Sequence, residues 1–214
     1  MKFIHDILPT TSRQNKCDRG NRTCPLCNDP LEDNDHILRC QHTTRETWRQ
    51  NFLTSLSAYC SETQTCPQVS RLLNEGFHQW FNGAETPEIE LTQYTSEVQP
   101  ILCQQSQIGW RHLFHGRFAK AWSEIQRKYL ERVFPHQQYA SDKWQVGLIR
   151  KIWDQWFVLW SLRNQDLHGR DSRSRQKAET LEIKRQLQRI YSQRQIVEPQ
   201  AQDLLHNSPE SHDK

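Results

Sequence analysis

Apolar residues recur at intervals of three and four through most of this chain, and no stretch alternates convincingly at two, so the pattern predicts helices rather than strands. Trp48, Phe52, Leu53 and Leu56 mark a helix over 43–60, with Thr43 or Thr44 as its cap. Val69, Leu72, Leu73, Phe77, Trp80 and Phe81 mark a second over 67–81, with Pro67 in its first turn and Asn82-Gly83 at its end. Pro87 and Pro100 interrupt residues 84–108, which read as a connecting region with a short helical or extended piece near 92–99. One uninterrupted helix is expected from Gly109 to about residue 134. Along it Trp110, Leu113, Phe114, Phe118, Ala121, Trp122, Ile125, Tyr129, Leu130 and Val133 form a broad apolar face, and Pro135 stops it. A longer helix should start at Ser141 or Asp142 and run to His168, with Gly169 as C-cap residue. Leu181, Ile183, Leu187, Ile190 and Tyr191 place a last helix over about 173–194.

At the start, Phe3, Ile4, Ile7 and Leu8 suggest a helical turn ended by Pro9. An apolar segment that begins at residue 3 with nothing upstream suggests a fragment of a longer coding unit. The expected architecture is mainly α: a small N-terminal module over 1–60, a helix and connecting region over 61–108, a helical bundle over 109–195, and a disordered tail over 196–214.

Composition changes this picture in two places. Only 35 % of the residues are hydrophobic and the mean hydropathy is -0.93, yet eight Trp and eight Phe supply large buried areas, so the core should gather where the aromatics are. The longest apolar run, residues 156–160, is far too short to span a membrane, and residues 1–9 lack the form of a signal peptide. An intracellular setting, cytoplasmic or nuclear and not secreted, with reduced thiols is therefore expected.

Seven cysteines, four of them before residue 41, point in such a setting to a metal rather than to disulfides. Cys24-Pro25-Leu26-Cys27 and His36-Ile37-Leu38-Arg39-Cys40 give the spacing C-x2-C-x8-H-x3-C. A C-x2-C turn aims two thiolates at one centre, and a short helix puts His36 and Cys40 on one face. Cys24, Cys27, His36 and Cys40 are thus the expected ligands of one structural Zn2+, a closed set of three thiolates and one imidazole. His42 is the alternative fourth ligand, but C-x2-C-x8-H-x5-H has a short central spacing, and Cys40 is preferred. Cys17 is read as free, and Cys60, Cys66 and Cys103 as ordinary helix or loop residues.

The net charge of +3 permits nucleic-acid contact without demanding it. Arg111, Arg117 and Lys120 interleave with Trp110, Phe114 and Phe118, which suits phosphates on cations and bases on rings. The plainer reading, an amphipathic helix with a solvated basic face and buried aromatics, is favoured. Between 163 and 194 stand nine Lys or Arg against four Asp or Glu, and there Arg170, Arg173, Arg175, Lys184, Arg185 and Arg189 are the expected phosphate contacts. An exposed helix held by acid–base pairs, such as Glu182 with Arg185 or Gln186, explains that charge equally well. Trp144, Trp153, Trp156 and Trp160 read as core.

Residues 4–49, with the Cys24-Pro25-Leu26-Cys27 pair, acidic residues at 32–35 and His36-x3-Cys40, resemble the zinc-binding domain of reverse transcriptases of non-LTR retrotransposons. The likeness covers about a fifth of the chain, and residues 8–11 (LPTT) look like the entry to that domain. Segments 109–122 and 159–169 are similar to stretches downstream of the finger in such reading frames. The resemblance implies a retroelement-derived C-terminal fragment with a role in holding nucleic acid. No adjacent Asp-Asp pair occurs, so the parent polymerase's carboxylates are absent and no catalytic residue is expected. A protein-interaction module or a degenerate fragment without selected activity are the alternatives.

Overall fold

The computed structural model describes residues 10–14, 23–135, 140–168 and 172–192. Every regular element among them is helical. They are α1 (Thr11–Gln14), α2 (Asn34–Arg39), α3 (Thr43–Glu62), α4 (Pro67–Phe81), α5 (Gln99–Ile108), α6 (Lys120–Val133), α7 (Ala140–His168) and α8 (Ser172–Ser192), with single 3-10 turns at Leu91–Gln93 and Trp110–Leu113. The expected mainly α class is what the structure has. The chain separates into two compact units, Met1–Ser161 and Leu162–Lys214.

In the first unit the core is aromatic. Phe52 of α3 packs edge-on against Phe77 and Phe81 of α4 at 5.0 and 5.5 Å, and Phe114 closes the cluster at 5.6 Å from Phe52 and 5.2 Å from Phe77. Leu56, Val69, Leu72 and Leu73 fill the space between, all buried. Few aliphatics are needed, because each ring removes a large apolar area from water and edge contacts between rings add about 0.5–1.5 kcal/mol per pair. Four polar tips then tie distant segments together. Trp48 Nε1 donates to Gln155 O (3.0 Å), Tyr59 Oη to Trp144 O (2.7 Å), Trp144 Nε1 to Thr65 Oγ1 (2.7 Å) and Trp153 Nε1 to Phe114 O (3.1 Å). Trp144 and Trp156 are core residues, as their spacing indicates, and Trp153 is half-buried.

Three local expectations are corrected. The helix expected from Gly109 to about 134 is broken. Gly109 and Gly116 have φ of +95° and +76°, and between them runs only the 3-10 turn, so α6 starts at Lys120. Gln105, fully buried, holds the break: its Nε2 donates to Gly109 O and Arg117 O, and its Oε1 accepts from Ala119 N and Trp122 Nε1. The apolar period continues across it because the 3-10 turn still turns Trp110 and Leu113 inward, followed by Phe114. Second, residues 99–108 are helical: Pro100 lies in the first turn, where its missing N–H costs nothing, so it starts α5 rather than interrupting a loop. Third, α3 is capped by His42, whose Nδ1 accepts from Thr44 N at 3.3 Å, and Thr43 and Thr44 lie inside the helix.

The expected turn at residues 3–8, the Gly169 cap and the tail over 196–214 fall outside the described residues, and so do the side chains of Ser141 and Asp142. In the second unit, α8 exposes Leu181 and Ile183 together with Lys184, Arg185 and Arg189, and Glu182 pairs with Arg185 (3.7 Å) and Gln186 (3.1 Å). Among the described residues no helix is long and apolar enough to cross a membrane.

Candidate metal centre

The two halves of the cluster are built by different local rules. Cys24-Pro25-Leu26-Cys27 forms a tight turn: Cys24 N donates to Asp29 O (2.8 Å) and Asn28 N to Cys24 O (3.0 Å), with Asn28 at φ 61°. Asn accepts the left-handed region more readily than most residues, which lets the chain reverse directly after Cys27. The turn also aims the main-chain N–H groups of Cys27 and Leu26 at Cys24 Sγ. The other half is α2. Asp33 caps it, its Oδ1 accepting from His36 N at 2.7 Å, and Ile37 and Leu38 bury its inner side. Cys40 follows as the C-cap residue, with φ −52° and ψ 129°.

These elements bring together all four expected ligands. Cys24 Sγ lies 3.9 Å from Cys40 Sγ, Cys27 Sγ lies 3.3 Å from His36 Nε2, and the four donor atoms are all within 4.8 Å of one another. A tetrahedral zinc site with ordinary bond lengths has S···S edges of about 3.8 Å and S···N edges of about 3.6 Å, so the donor set fits one ion with little adjustment. Cys24 and Cys40 are buried, while Cys27 and His36 are half-exposed. Cys24, Cys27, His36 and Cys40 could therefore hold one metal ion.

Without a metal the thiols share protons unequally. A hydrogen bond from the Cys40 thiol, supported by His36 and the two main-chain N–H groups, holds Cys24 down at about 3 against the opposing effect of burial. The Cys40 thiol is pushed up by its bond to Cys24 and by burial, and His36 is pushed up chiefly by its bond to Cys24. Of the two buried thiols, Cys24 is thus the one more readily ionised, and the thiolate is the form that ligates a metal.

Asp29, Asp33, Asn28 and Arg49 serve this site and were not anticipated from the sequence. Asp29 Oδ2 stands 3.8 Å from His36 Nδ1, opposite the nitrogen that faces the thiols. Arg49 Nη1 donates to Cys40 O at 2.7 Å. Asp33 had a readable signal, an Asp before a short helical run; the acidic residues at 32–35 look instead like one undifferentiated loop. The module is also tied to the core. Arg39 lies over the Trp80 ring at 3.9 Å and pairs with Glu85, and Arg111 Nε meets Asp35 Oδ1 at 3.0 Å.

His42, the alternative ligand, is occupied with capping α3. Cys60 and Cys66 are buried, Cys103 is exposed, and none of them belongs to the cluster; Cys17 lies outside the described residues.

The expected phosphate contacts fall in both units. Arg111 is engaged with Asp35, Arg117 is exposed beside His112 (3.3 Å), and Lys120 is exposed in the first turn of α6. Lys184, Arg185 and Arg189 are exposed on α8; Arg170 and the side chains of Arg173 and Arg175 fall outside the described residues. Trp110 and Phe114 are buried in the core and Phe118 is half-buried 6.0 Å from Trp122, so this stretch does not present a set of open rings for stacking.

No family model, curated protein or solved structure matches this chain.

Proposed function

We propose that this chain is a zinc-stapled helical module of a retrotransposon reverse-transcriptase-like protein, without a catalytic site of its own, that contacts nucleic acid. The observation that carries the zinc is the convergence of three sulfurs and one imidazole nitrogen within 4.8 Å. Soft thiolates with one imidazole select zinc over calcium or magnesium, and four protein ligands leave no open position for substrate or activated water. The zinc supplies folding energy: structural sites of this kind contribute about 10–16 kcal/mol, enough to fix a loop with few apolar residues of its own.

The retroelement origin is supported by the spacing C-x2-C-x8-H-x3-C and the flanking residues alone. Nucleic-acid contact is supported by exposed cations, namely Arg117 and Lys120 in the first unit and Lys184, Arg185 and Arg189 on α8. Contacts of this type hold phosphates, read little sequence and weaken steeply with salt. A second reading is docking of an acidic protein on α8, favoured by Leu181 and Ile183 standing more than half exposed among those same cations.

The test has two steps. Zinc stoichiometry on the purified chain should give one ion per molecule, lost in Cys27→Ser; no zinc in either protein overturns the reading. Single-stranded RNA and DNA are then titrated at several salt concentrations. Binding whose logarithm falls linearly with the logarithm of salt supports the nucleic-acid role, and binding to an acidic protein alone favours the second reading.

A further inference from the structure

We infer that Arg49, nine residues beyond the last ligand, is a positioning residue that sets how tightly the centre holds its metal, by clamping Cys40 from the core helix α3. The inference rests on the metal reading above. The other ligand segments carry their own supports: Cys24 and Cys27 sit in a self-bonded turn, and His36 follows the Asp33 cap. Cys40 has left the helical path of α2, so its carbonyl lies beyond that helix's own ladder. Arg49 Nη1 reaches this buried oxygen at 2.7 Å.

The guanidinium that does so is itself fixed. Its residue is only 4 % exposed, its Nε and Nη2 both donate to Glu46 Oε2, and Gln50 Nε2 donates to the second oxygen of that carboxylate at 3.1 Å. From the other side, the main-chain N–H of His42, the cap of α3, donates to Cys40 Sγ. One helix and its cap therefore hold both the carbonyl and the sulfur of one ligand. That helix is anchored by Trp48, Phe52, Leu56 and Cys60, all buried. Loss of the guanidinium leaves a buried carbonyl without a donor and frees the Cys40 peptide to turn, which moves Sγ away from the other three ligands.

Groups that orient metal ligands typically change affinity by about 10–100-fold when removed. The same range is expected for Arg49→Met. Arg49→Lys should fall between, since one ammonium cannot bridge Cys40 O and the Glu46 carboxylate as a planar fork does. Glu46→Gln, on a largely exposed side chain, should preserve the fold and weaken binding by a smaller factor.

The experiment uses the full chain and measures zinc affinity by competition with a chromogenic chelator. The Co2+-loaded absorption spectrum serves as a readout of thiolate geometry. Weaker zinc binding in the order wild type, Lys, Met, with a reduced thiolate-to-cobalt band, supports the inference. Zinc affinity within twofold of wild type in Arg49→Met overturns it while leaving the metal reading intact. Should Arg49→Met fail to fold, an unchanged affinity in both Arg49→Lys and Glu46→Gln overturns it equally. Absence of zinc binding by the wild-type chain instead removes the metal reading itself.

Discussion

The ring of Trp110 lies directly on the backbone of Gly76: a β-carbon at that position would fall 2.0 Å from Trp110 Cζ3 and 2.2 Å from Cη2. The glycine sits mid-helix in α4, where it costs helix stability, and the close approach of the indole is what it permits in return. Trp110 is 1 % exposed and has Trp122 edge-on at 6.2 Å, so the ring has nowhere to retreat.

Gly76→Ala is therefore expected to destabilise the fold by about 3 kcal/mol, the upper end of ordinary overpacking penalties, although alanine is the better helix former. Urea unfolding of the variant beside wild type measures it. A neutral or stabilising result would show that the ring can move.

Gln105 supplies a second expected weakness. It is fully buried and satisfies two donors and two acceptors at the break between α5 and α6. Gln105→Leu keeps the volume and leaves Ala119 N–H and the Trp122 indole N–H without their acceptor. Each stranded donor costs about 1–3 kcal/mol, so a loss of at least about 2 kcal/mol is expected in the same unfolding assay.

Asp29 faces His36 Nδ1 across 3.8 Å, on the side away from the thiols. A carboxylate there favours the tautomer that leaves Nε2 free to bind metal. Asp29→Asn should weaken zinc by about tenfold in chelator competition, with helicity of the loaded protein unchanged by circular dichroism.

Alkaline pH should unfold the chain earlier than its net charge suggests. Burial pushes the Tyr59 phenol from its usual value near 10 to about 12, and burial also pushes up the Cys60 thiol from near 9. The unfolded chain ionises these groups first, so their contribution to stability is constant below about pH 9 and falls as pH rises toward 12. Urea midpoints at several pH values check this, and Tyr59→Phe should flatten the upper part of the curve while lowering the whole of it through loss of the bond to Trp144 O.

Much of this was legible in the sequence where one short segment decides one outcome. The bounds of α4 follow from Pro67, its apolar spacing and Asn82-Gly83, and the four candidate ligands follow from the spacing between two close pairs of residues. The break after α5 was not legible, because the side chain that holds it open, Gln105, looks like any polar residue, and the apolar period runs on through Trp110, Leu113 and Phe114. Pro100 was misread because proline both ends and begins helices, and only the burial of Ile101 and Leu102 distinguishes the two uses. Arg49 was hidden for another reason: a long charged side chain on a helix is almost always solvated, and nothing in its neighbours announces a buried carbonyl nine residues earlier.

Trp48 and Gln155 are 107 residues apart in the chain, and Tyr59 and Trp144 are 85 apart. The metal turn and its helix close within 17 residues, from Cys24 to Cys40. During synthesis the four candidate ligands can meet once Cys40 has emerged, whereas the face of α3 that carries Trp48 and Tyr59 waits for α7. One end of the molecule thus rests on contacts local in sequence, while the aromatic core depends on partners that the chain supplies later, and contacts of that kind form more slowly.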